Sequence, residues 1–586
     1  MKNTLKRVSF LACSLALFLT ACGAPKSGHV CAFDQENTDA AFLKSEATCQ
    51  AKAEYYYSCE CGKKSDMTFQ HGYKKSHDFT AEVVEQKYLK KAATCQKPAE
   101  YYKSCAMCGT KANYYQTFTY GELGDCNFSL EIPEGKFLKD EATKTASAVY
   151  YKSCVCGKYT EDETFSYGDP LKTYTSEEKI PYTPKSVTVT LYDAENSVYG
   201  FTCNTEKEPL RPVLQVQKSA SFDETADVTE YPATVEKASS YNENDSSFTY
   251  YIVKAEATLD IGAEYSYRIY DKYVETGSTP ATIKARDVKS DKFTFTHVAD
   301  TQNYPTEFSY VLNSVASTTD FLLHTGDVVE SSKHEHHWKA MLQGNFANLS
   351  KTPMMAISGN HETTYKQGSN ETFKHFNYKL PTQSSTLLGF FYSFHYGNAK
   401  FIMLNTNVLT ANRLTNEQYD WLVNELKNNT ATWTIVSMHN PIYSAGRYGS
   451  EASRNEICLA LRAQLQGIFA QYGVDLVLQG HDHVVSSTYP MNGQGQVQTE
   501  SKQTIDGVEY TVNPQGVYYL LTGTSGGQTR APYTTDETLY KYALQSKASS
   551  FTNFEIDGNS MKINVCYYQS GEVKTYQTWG IQKTAA

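Results

Sequence analysis

The chain's 586 residues include 54 basic and 64 acidic side chains, for a net charge of −10, with 40% hydrophobic and 20% charged residues. At about 100–200 residues per domain that length implies roughly four domains, and the apolar content excludes wholesale disorder and a multi-span membrane protein. The acidic balance lacks the basic surplus that neutralises phosphates, which argues against general nucleic-acid binding. The 46 tyrosines, set among β-branched residues and short turns, predict much sheet.

Lys2, Lys6 and Arg7 precede an apolar run from Val8 to Leu19. This is the charged and hydrophobic pattern of a secretory signal, too short to span a bilayer comfortably as a permanent helix. The run ends in Leu19-Thr20-Ala21-Cys22-Gly23, which resembles the lipobox of bacterial lipoproteins. That resemblance implies a signal over 1–21, lipidation of Cys22, a short tether over 22–28 and anchorage to the cell membrane on its extracytoplasmic face. An ordinary signal peptide with an incidental Cys is the alternative.

Three repeats follow, with a period of about 45 residues. Phe42-Leu-Lys-Ser-Glu-Ala-Thr-Cys49 aligns with Tyr88-Leu-Lys-Lys-Ala-Ala-Thr-Cys95 and Phe137-Leu-Lys-Asp-Glu-Ala-Thr-Lys144, and each precedes a Tyr-Tyr-x-Ser-Cys block. The units are taken as 29–72, 73–122 and 123–169. Each is too small to be stable on its apolar core alone, so a cross-link is expected. Export suggests disulfides, yet the equivalent positions two residues before Phe33, Phe79 and Phe128 read Cys31, His77 and Cys126, and a His replaces a Cys in a metal site but never in a disulfide. One zinc per repeat would use Cys31, Cys49, Cys59 and Cys61, then His77, Cys95, Cys105 and Cys108. The third unit, with Lys144 in place of Cys, keeps Cys126, Cys154 and Cys156. Zinc and disulfides both stay open, and what partner the repeats bind is not legible. Cys203, Cys458 and Cys566 read as buried small hydrophobes.

A Pro, Thr and Lys-rich linker over 170–184 leads to a β domain over 185–287, where Val187–Tyr192, Pro212–Val216, Ser247–Val253 and Glu264–Tyr270 read as strands. It resembles the fibronectin type III-like domain that precedes the catalytic domain of purple acid phosphatases.

From 288 to 586 apolar runs alternate with helical segments, the pattern of an α/β domain. Phe293–Ala299, Asp320–His324, Met354–Ile357, Lys400–Asn405, Trp433–Met438, Val474–Gln479 and Val517–Leu521 read as strands; Gln418–Leu426, capped by Thr415, and Ile457–Phe469 read as helices. Most runs are followed at once by a residue able to bind a metal: Asp300, Gly326-Asp327, Gly359-Asn360-His361-Glu362, His439 and Gly480-His481-Asp482-His483. Two cations about 3.5–4 Å apart need a shared anionic bridge and several more oxygen and nitrogen donors, which this set can supply.

Those five blocks resemble the calcineurin-like metallophosphoesterases and, with the preceding sandwich, their purple acid phosphatase branch. The resemblance implies a four-layer αββα domain and two divalent or trivalent metal ions, iron, manganese or zinc. Asp327 would bridge them, with Asp300 and His483 completing one metal and Asn360, His439 and His481 holding the other. His361 would lie beside the phosphate as the catalytic side chain, stabilising the transition state or protonating the leaving alkoxide. Gln302 and Glu330 occupy positions where the family often has a metal-binding His or Tyr, so each is a further candidate oxygen ligand or a hydrogen-bonding residue. The whole is then multidomain: small Cys-rich repeats, an all-β fibronectin type III-like sandwich and the αββα enzyme domain.

The implied function is metal-dependent hydrolysis of small phosphate monoesters at the cell surface. A phosphodiesterase or nucleotidase with the same metal core, and a catalytically dead surface-binding lipoprotein, are the alternatives. Tyr443 and Arg447 are candidate substrate contacts. Gly523–Gly527 resembles an anion-cradling loop, the His334, His336 and His337 cluster reads as a solvated helix start, and His324 as a packed strand residue.

Overall fold

The computed structural model describes residues 30–584 apart from 114, 144–145, 171–172, 364–370, 382–389 and 450–454. The chain divides at Gly124 into two compact units. In the first, two three-stranded antiparallel sheets have the same construction: Leu43–Ser45, Ala53–Ser58 and Lys64–His71, then Leu89–Lys91, Ala99–Tyr102 and Thr117–Tyr120. Each is entered through a single 3₁₀ turn, and each has one cross-strand aromatic stack, Tyr55 on Phe69 and Tyr101 on Phe118. Such a pair contributes about 0.5–1.5 kcal/mol beyond its buried area, too little to order a sheet of this size by itself.

The second unit opens with a third sheet of this kind, Leu138–Asp140, Ala148–Ser153 and Tyr159–Tyr167, where Tyr150 stacks on Phe165. Here Phe137 and Tyr150 bury against Tyr273 of the following domain. The predicted linker contains a helical turn, Ser176–Lys179. The Thr175 side chain accepts the Glu178 N–H and the Glu178 carboxylate accepts the Thr175 N–H, a reciprocal cap written in the sequence as Thr-x-x-Glu.

The β domain is antiparallel, in the order Lys185–Asp193, Val198–Thr205, Ser247–Thr258, Thr229–Tyr241, Pro212–Gln217, Glu264–Asp271, with Ala281–Lys284 also paired to the last. Thr229–Tyr241 pairs with one neighbour through Ala233–Tyr241 and with the other through Thr229–Pro232, carrying the chain from one half of the domain to the other. This strand is mostly exposed, so it lacks the apolar alternation by which the others are read.

In the α/β domain we number β1 (Lys292–Val298), β2 (Phe321–His324), β3 (Met354–Ala356), β4 (Tyr392–Tyr396), β5 (Ala399–Met403), β6 (Trp433–Met438), β7 (Leu476–Gln479), β8 (Val484–Thr488), β9 (Lys502–Ile505), β10 (Val508–Val512), β11 (Tyr518–Thr522), β12 (Tyr540–Gln545), β13 (Ser550–Asp557), β14 (Ser560–Gln569) and β15 (Glu572–Gln582). The principal helices are α1 (Pro305–Val315), α2 (Glu335–Gly344), α3 (Asn416–Lys427) and α4 (Glu456–Gln471). One sheet runs β3-β2-β1-β13-β14-β15-β10-β9 and the other β4-β5-β6-β7-β11-β8-β12. β1, β2 and β3 are parallel, as are β5, β6, β7 and β11. Thr415 caps α3 by accepting the Gln418 N–H, and Asn455 does the same for α4 with Cys458.

The sheets meet through an aromatic layer. Phe295 of β1 stacks on Phe321 and on Phe554 and meets Phe401 of the other sheet edge-on at 5.1 Å. The β domain docks on the α/β domain through buried polar contacts. The Thr188 hydroxyl donates to the His375 carbonyl and the Tyr267 hydroxyl to that of Ser350, both at 2.7 Å, and Asn204 donates to Glu335 at 2.8 Å. Phe295 touches both sheets, so Phe295→Ala is expected to destabilise this domain by about 3–5 kcal/mol. The check is a fall in the urea midpoint of its unfolding transition.

Candidate metal centre

Parallel strands point their carboxyl ends the same way, so the residues that follow β1, β2 and β3 in one sheet and β6 and β7 in the other are delivered to one edge of the sandwich. Asp300, Asp327, His439 and His483 are all at most 2% exposed. The turns that present them are strained. Asp300, Gln302, Asp327, His481 and His483 all have positive φ, between 45° and 71°, a region that costs a non-glycine residue energy and that clusters at functional sites. The adjacent glycines make room. A Cβ on Gly326 (φ +94°) would come within 2.6 Å of the Gly359 nitrogen and 2.8 Å of His439 Nδ1, and one on Gly359 would collide with the Asp327 carboxylate.

His439 Nδ1 lies 2.8 Å from the Thr325 carbonyl, which can only accept, so Nδ1 carries the proton. The lone pair on Nε2 then points at Asn360 Oδ1, 3.0 Å away, and Asp327 Oδ2, 3.3 Å away. His481 joins them: the ligand atoms of Asp327, His439 and His481 lie within 4.8 Å of one another. On the other side His483 Nδ1 donates to the Gln528 carbonyl at 2.7 Å, and its Nε2 faces Asp300 Oδ1 at 3.4 Å. Lone pairs thus converge from both sides, and a cation is what such a donor set accepts. Without a cation a proton takes its place on His439 Nε2. Burial would lower His439, but Asp327 beside it outweighs that and holds it up at about 9, whereas burial and the neighbouring His439 push His481 down to about 3.

Supporting contacts fix the turns. Glu362 is fully buried and accepts the N–H groups of Asp327, Val329 and Gly359 at 2.9, 3.1 and 2.6 Å. Burial and then Asp327 push its carboxyl up to about 7. Asp300 accepts the His481 N–H, and Asp482 accepts the N–H groups of Tyr448 and Gly449, clamping the 446–449 loop over the site. His324 accepts the Gly326 N–H at 3.1 Å, so it packs in its strand and also holds the Gly-Asp turn. Glu362 and Asp482 lie inside the quoted motifs, but nothing in the sequence separates a brace from a ligand there.

His361 has its Nδ1 on the Glu330 carbonyl at 2.6 Å and its Nε2 at 3.8 Å from Asp327 Oδ2. Gln302 and Glu330 both turn to this imidazole, the Gln302 amide 3.1 Å from Nε2 and the Glu330 carboxylate 3.7 Å from Nδ1. Tyr443 is not open to a substrate: its ring is buried under Arg462 and its hydroxyl donates to Gln466. Arg447 is exposed beside Tyr448, whose ring lies 4.3 Å from that of His481. The Gly523–Gly527 loop braces Asp300, with Thr524 donating to its carbonyl. His334 pairs with Asp245 of the β domain at 3.0 Å. In the repeats, Cys31, Cys59 and Cys61 come together, but Cys49 lies with His77, Cys105 and Cys108, and Cys95 is not among those four. One site per repeat is therefore not what the fold builds. Cys203, Cys458 and Cys566 are buried, which raises each thiol. Cys22 lies outside the described residues.

Residues 293–485 match the calcineurin-like phosphoesterase family. Acid phosphatase type 7 of Homo sapiens is 28% identical over 230 residues, 36% of this chain and 49% of its own length. Purple acid phosphatase 23 of Arabidopsis thaliana is 31% identical over 183 residues, 30% of this chain and 35% of its own length. The chain thus spans half or less of the length of these relatives. A purple acid phosphatase from yellow lupin (Lupinus luteus) seeds superimposes with a TM-score of 0.57 at 17% identity, covering 68% of this chain and 74% of that one, a likeness of fold. Residues 293–485 are a calcineurin-like phosphoesterase domain with purple acid phosphatases among its homologues.

Proposed function

We propose that the chain hydrolyses phosphate esters, monoesters first, at a dinuclear metal centre, and that it does so on the extracytoplasmic face of a membrane to which Cys22 anchors it. The observation that carries the catalytic reading is the Nε2 edge of His439 facing the Asn360 and Asp327 side-chain oxygens, three potential ligand atoms turned toward one another. Asp327 would be shared, Asp300 and His483 would hold one metal and Asn360, His439 and His481 the other. Iron, manganese and zinc all suit such oxygen and nitrogen donors. Bound cations would supply charge neutralisation on the phosphoryl oxygens and acidify the attacking water. The chain's own part is orientation and proton transfer. The Thr325 and Gln528 carbonyls fix the tautomers of His439 and His483.

His361 would stabilise the transition state or hand a proton to the leaving alkoxide as the P–O bond breaks, water supplying the new oxygen. The Glu330 carbonyl holds its Nδ1–H, so Nε2, beside the Gln302 amide, is the nitrogen that would serve the substrate. Gln302 can serve either protonation state, because rotating its amide exchanges a donor for an acceptor at Nε2. Tyr448, its ring tilted against that of His481 and beside Arg447, is an aromatic ledge that also suits a nucleoside or aryl ester, which favours the nucleotidase and phosphodiesterase reading as second. An intact donor set argues against a dead enzyme. The β domain is read as fibronectin type III-like; the structural likeness to the lupin phosphatase covers a larger share of the chain than residues 288–586 make up.

Asp327→Asn removes the shared anion, and aryl phosphate turnover with any of the three metals is expected to fall ~100-fold or more; a variant keeping a tenth of the rate would refute the assignment. Glu362→Gln deprives the Asp327 turn of an anionic acceptor while leaving every ligand in place. Metal affinity, read by chelator competition, is expected to drop ~10–100-fold. Cys22→Ala should shift the protein from the membrane to the soluble fraction on fractionation, and unchanged membrane recovery would remove the anchor from this reading.

A further inference from the structure

Cys49 closes the Phe42–Cys49 block of the first repeat, yet its sulfur lies 3.6 Å from that of Cys105 in the second. In the same place the Cys108 sulfur is 3.3 Å from His77 Nδ1, and all four donor atoms lie within 4.8 Å of one another. They arrive from three separate stretches of chain. Cys49 comes from the turn between Leu43–Ser45 and Ala53–Ser58, and His77 from the segment leading into the second repeat. Cys105 and Cys108 come from a tight turn after Ala99–Tyr102. That turn is closed by Cys105 N–H to the Thr110 carbonyl and Gly109 N–H to the Cys105 carbonyl, with Gly109 in the left-handed region at φ +68°. Cys49 and Cys105 are buried.

Three thiols and one imidazole cannot be closed by disulfides. One bond would leave a thiol and the imidazole facing it without a covalent partner, whereas a tetrahedral ion takes all four donors. The spacing fits such an ion. A zinc–sulfur bond of about 2.3 Å gives a tetrahedron edge of roughly 3.8 Å between sulfurs, and a zinc–nitrogen bond of about 2.0 Å shortens the mixed edge to roughly 3.5 Å. The separations here are 3.6 and 3.3 Å.

We propose that Cys49, His77, Cys105 and Cys108 bind one zinc ion, and that the ion fastens the first repeat to the second. The site belongs to the junction, so neither repeat can build it alone, and metal binding becomes part of the free energy that orders both. The sequence of the last repeat follows the same logic. Lys144 stands where the first two repeats have Cys49 and Cys95, and no fourth repeat lies between it and the β domain, so a bridging thiol there would have nothing to bridge.

The test uses the full chain, isolated without reductant, with zinc counted by elemental analysis and cobalt substituted for spectroscopy. The phosphoesterase donors contain no sulfur, so thiolate-to-cobalt charge-transfer absorption reports the repeats alone. Cys49→Ser is expected to lose one zinc equivalent and to raise amide exchange in both Ala53–Ser58 and Ala99–Tyr102. His77→Cys is expected to keep the zinc count while strengthening the charge-transfer band, a readout that does not depend on how well the serine variant folds. An unchanged zinc count in Cys49→Ser would overturn the bridge. So would a wild-type chain without zinc whose peptide map shows Cys49, Cys105 or Cys108 in disulfides, or a His77→Cys spectrum identical to wild type.

Discussion

The α/β domain is organised around a local conflict: a buried carboxylate, an amide oxygen and an imidazole lone pair pointed at one another. Asp327 is 1% exposed and His439 fully buried, so water cannot separate these acceptors, and in a medium of low polarity their mutual repulsion is strong. Without a cation the arrangement is relieved only by protonating His439, whose basicity Asp327 raises to about 9 against the pull of burial. The rest of the domain holds this conflict in place. Parallel strands from two sheets bring the groups to one edge, the Thr325 carbonyl prevents His439 from turning its proton inward, and the glycines at 326 and 359 leave no side chain to dilute the site.

The same constraint accounts for the backbone. Positive φ at Asp300, Gln302, Asp327, His481 and His483 costs on the order of 1–3 kcal/mol at each strained residue, and no relaxed turn could aim these side chains inward from the strand ends. Glu362 shows how the strain is held. One carboxylate gathers three N–H groups around the Gly-Asp and Gly-Asn-His turns, and its own raised basicity reflects burial beside Asp327. The cost is placed on an edge supported by a closely packed aromatic interior, in which Phe295 lies against three other phenylalanine rings.

Burial of this kind decides what can be read in the sequence. Parallel strands buried on both faces are continuous apolar runs, so β1, β2, β6 and β7 are legible within one or two residues, and a ligand directly after such a run is visible by position alone. α3 is legible through Thr415, whose side chain caps it. β9 is not, because its residues are mostly exposed, nor is Thr229–Tyr241, which is exposed along most of its length. Tyr443 reads as a substrate contact because it follows His439 closely, yet Arg462 of α4 folds back over its ring and buries it, a contact between elements that chain order does not reveal.

Spacing also cannot reveal which repeat a cysteine serves. Self-similarity shows that Cys49 and Cys95 are equivalent; it does not show that a repeat lends its last thiol to the next one, since that depends on how adjacent sheets are joined. The two kinds of donor set then differ in hardness. The phosphoesterase edge offers only oxygen and nitrogen, which suit iron and manganese as well as zinc, whereas the Cys49, His77, Cys105 and Cys108 cluster offers mostly sulfur, which suits zinc or iron and disfavours manganese. Zinc therefore suits both environments, whereas manganese suits only the oxygen and nitrogen edge. If both donor sets are loaded as proposed, an ion ordering the repeats need not be of the same element as the ions at the phosphoesterase edge.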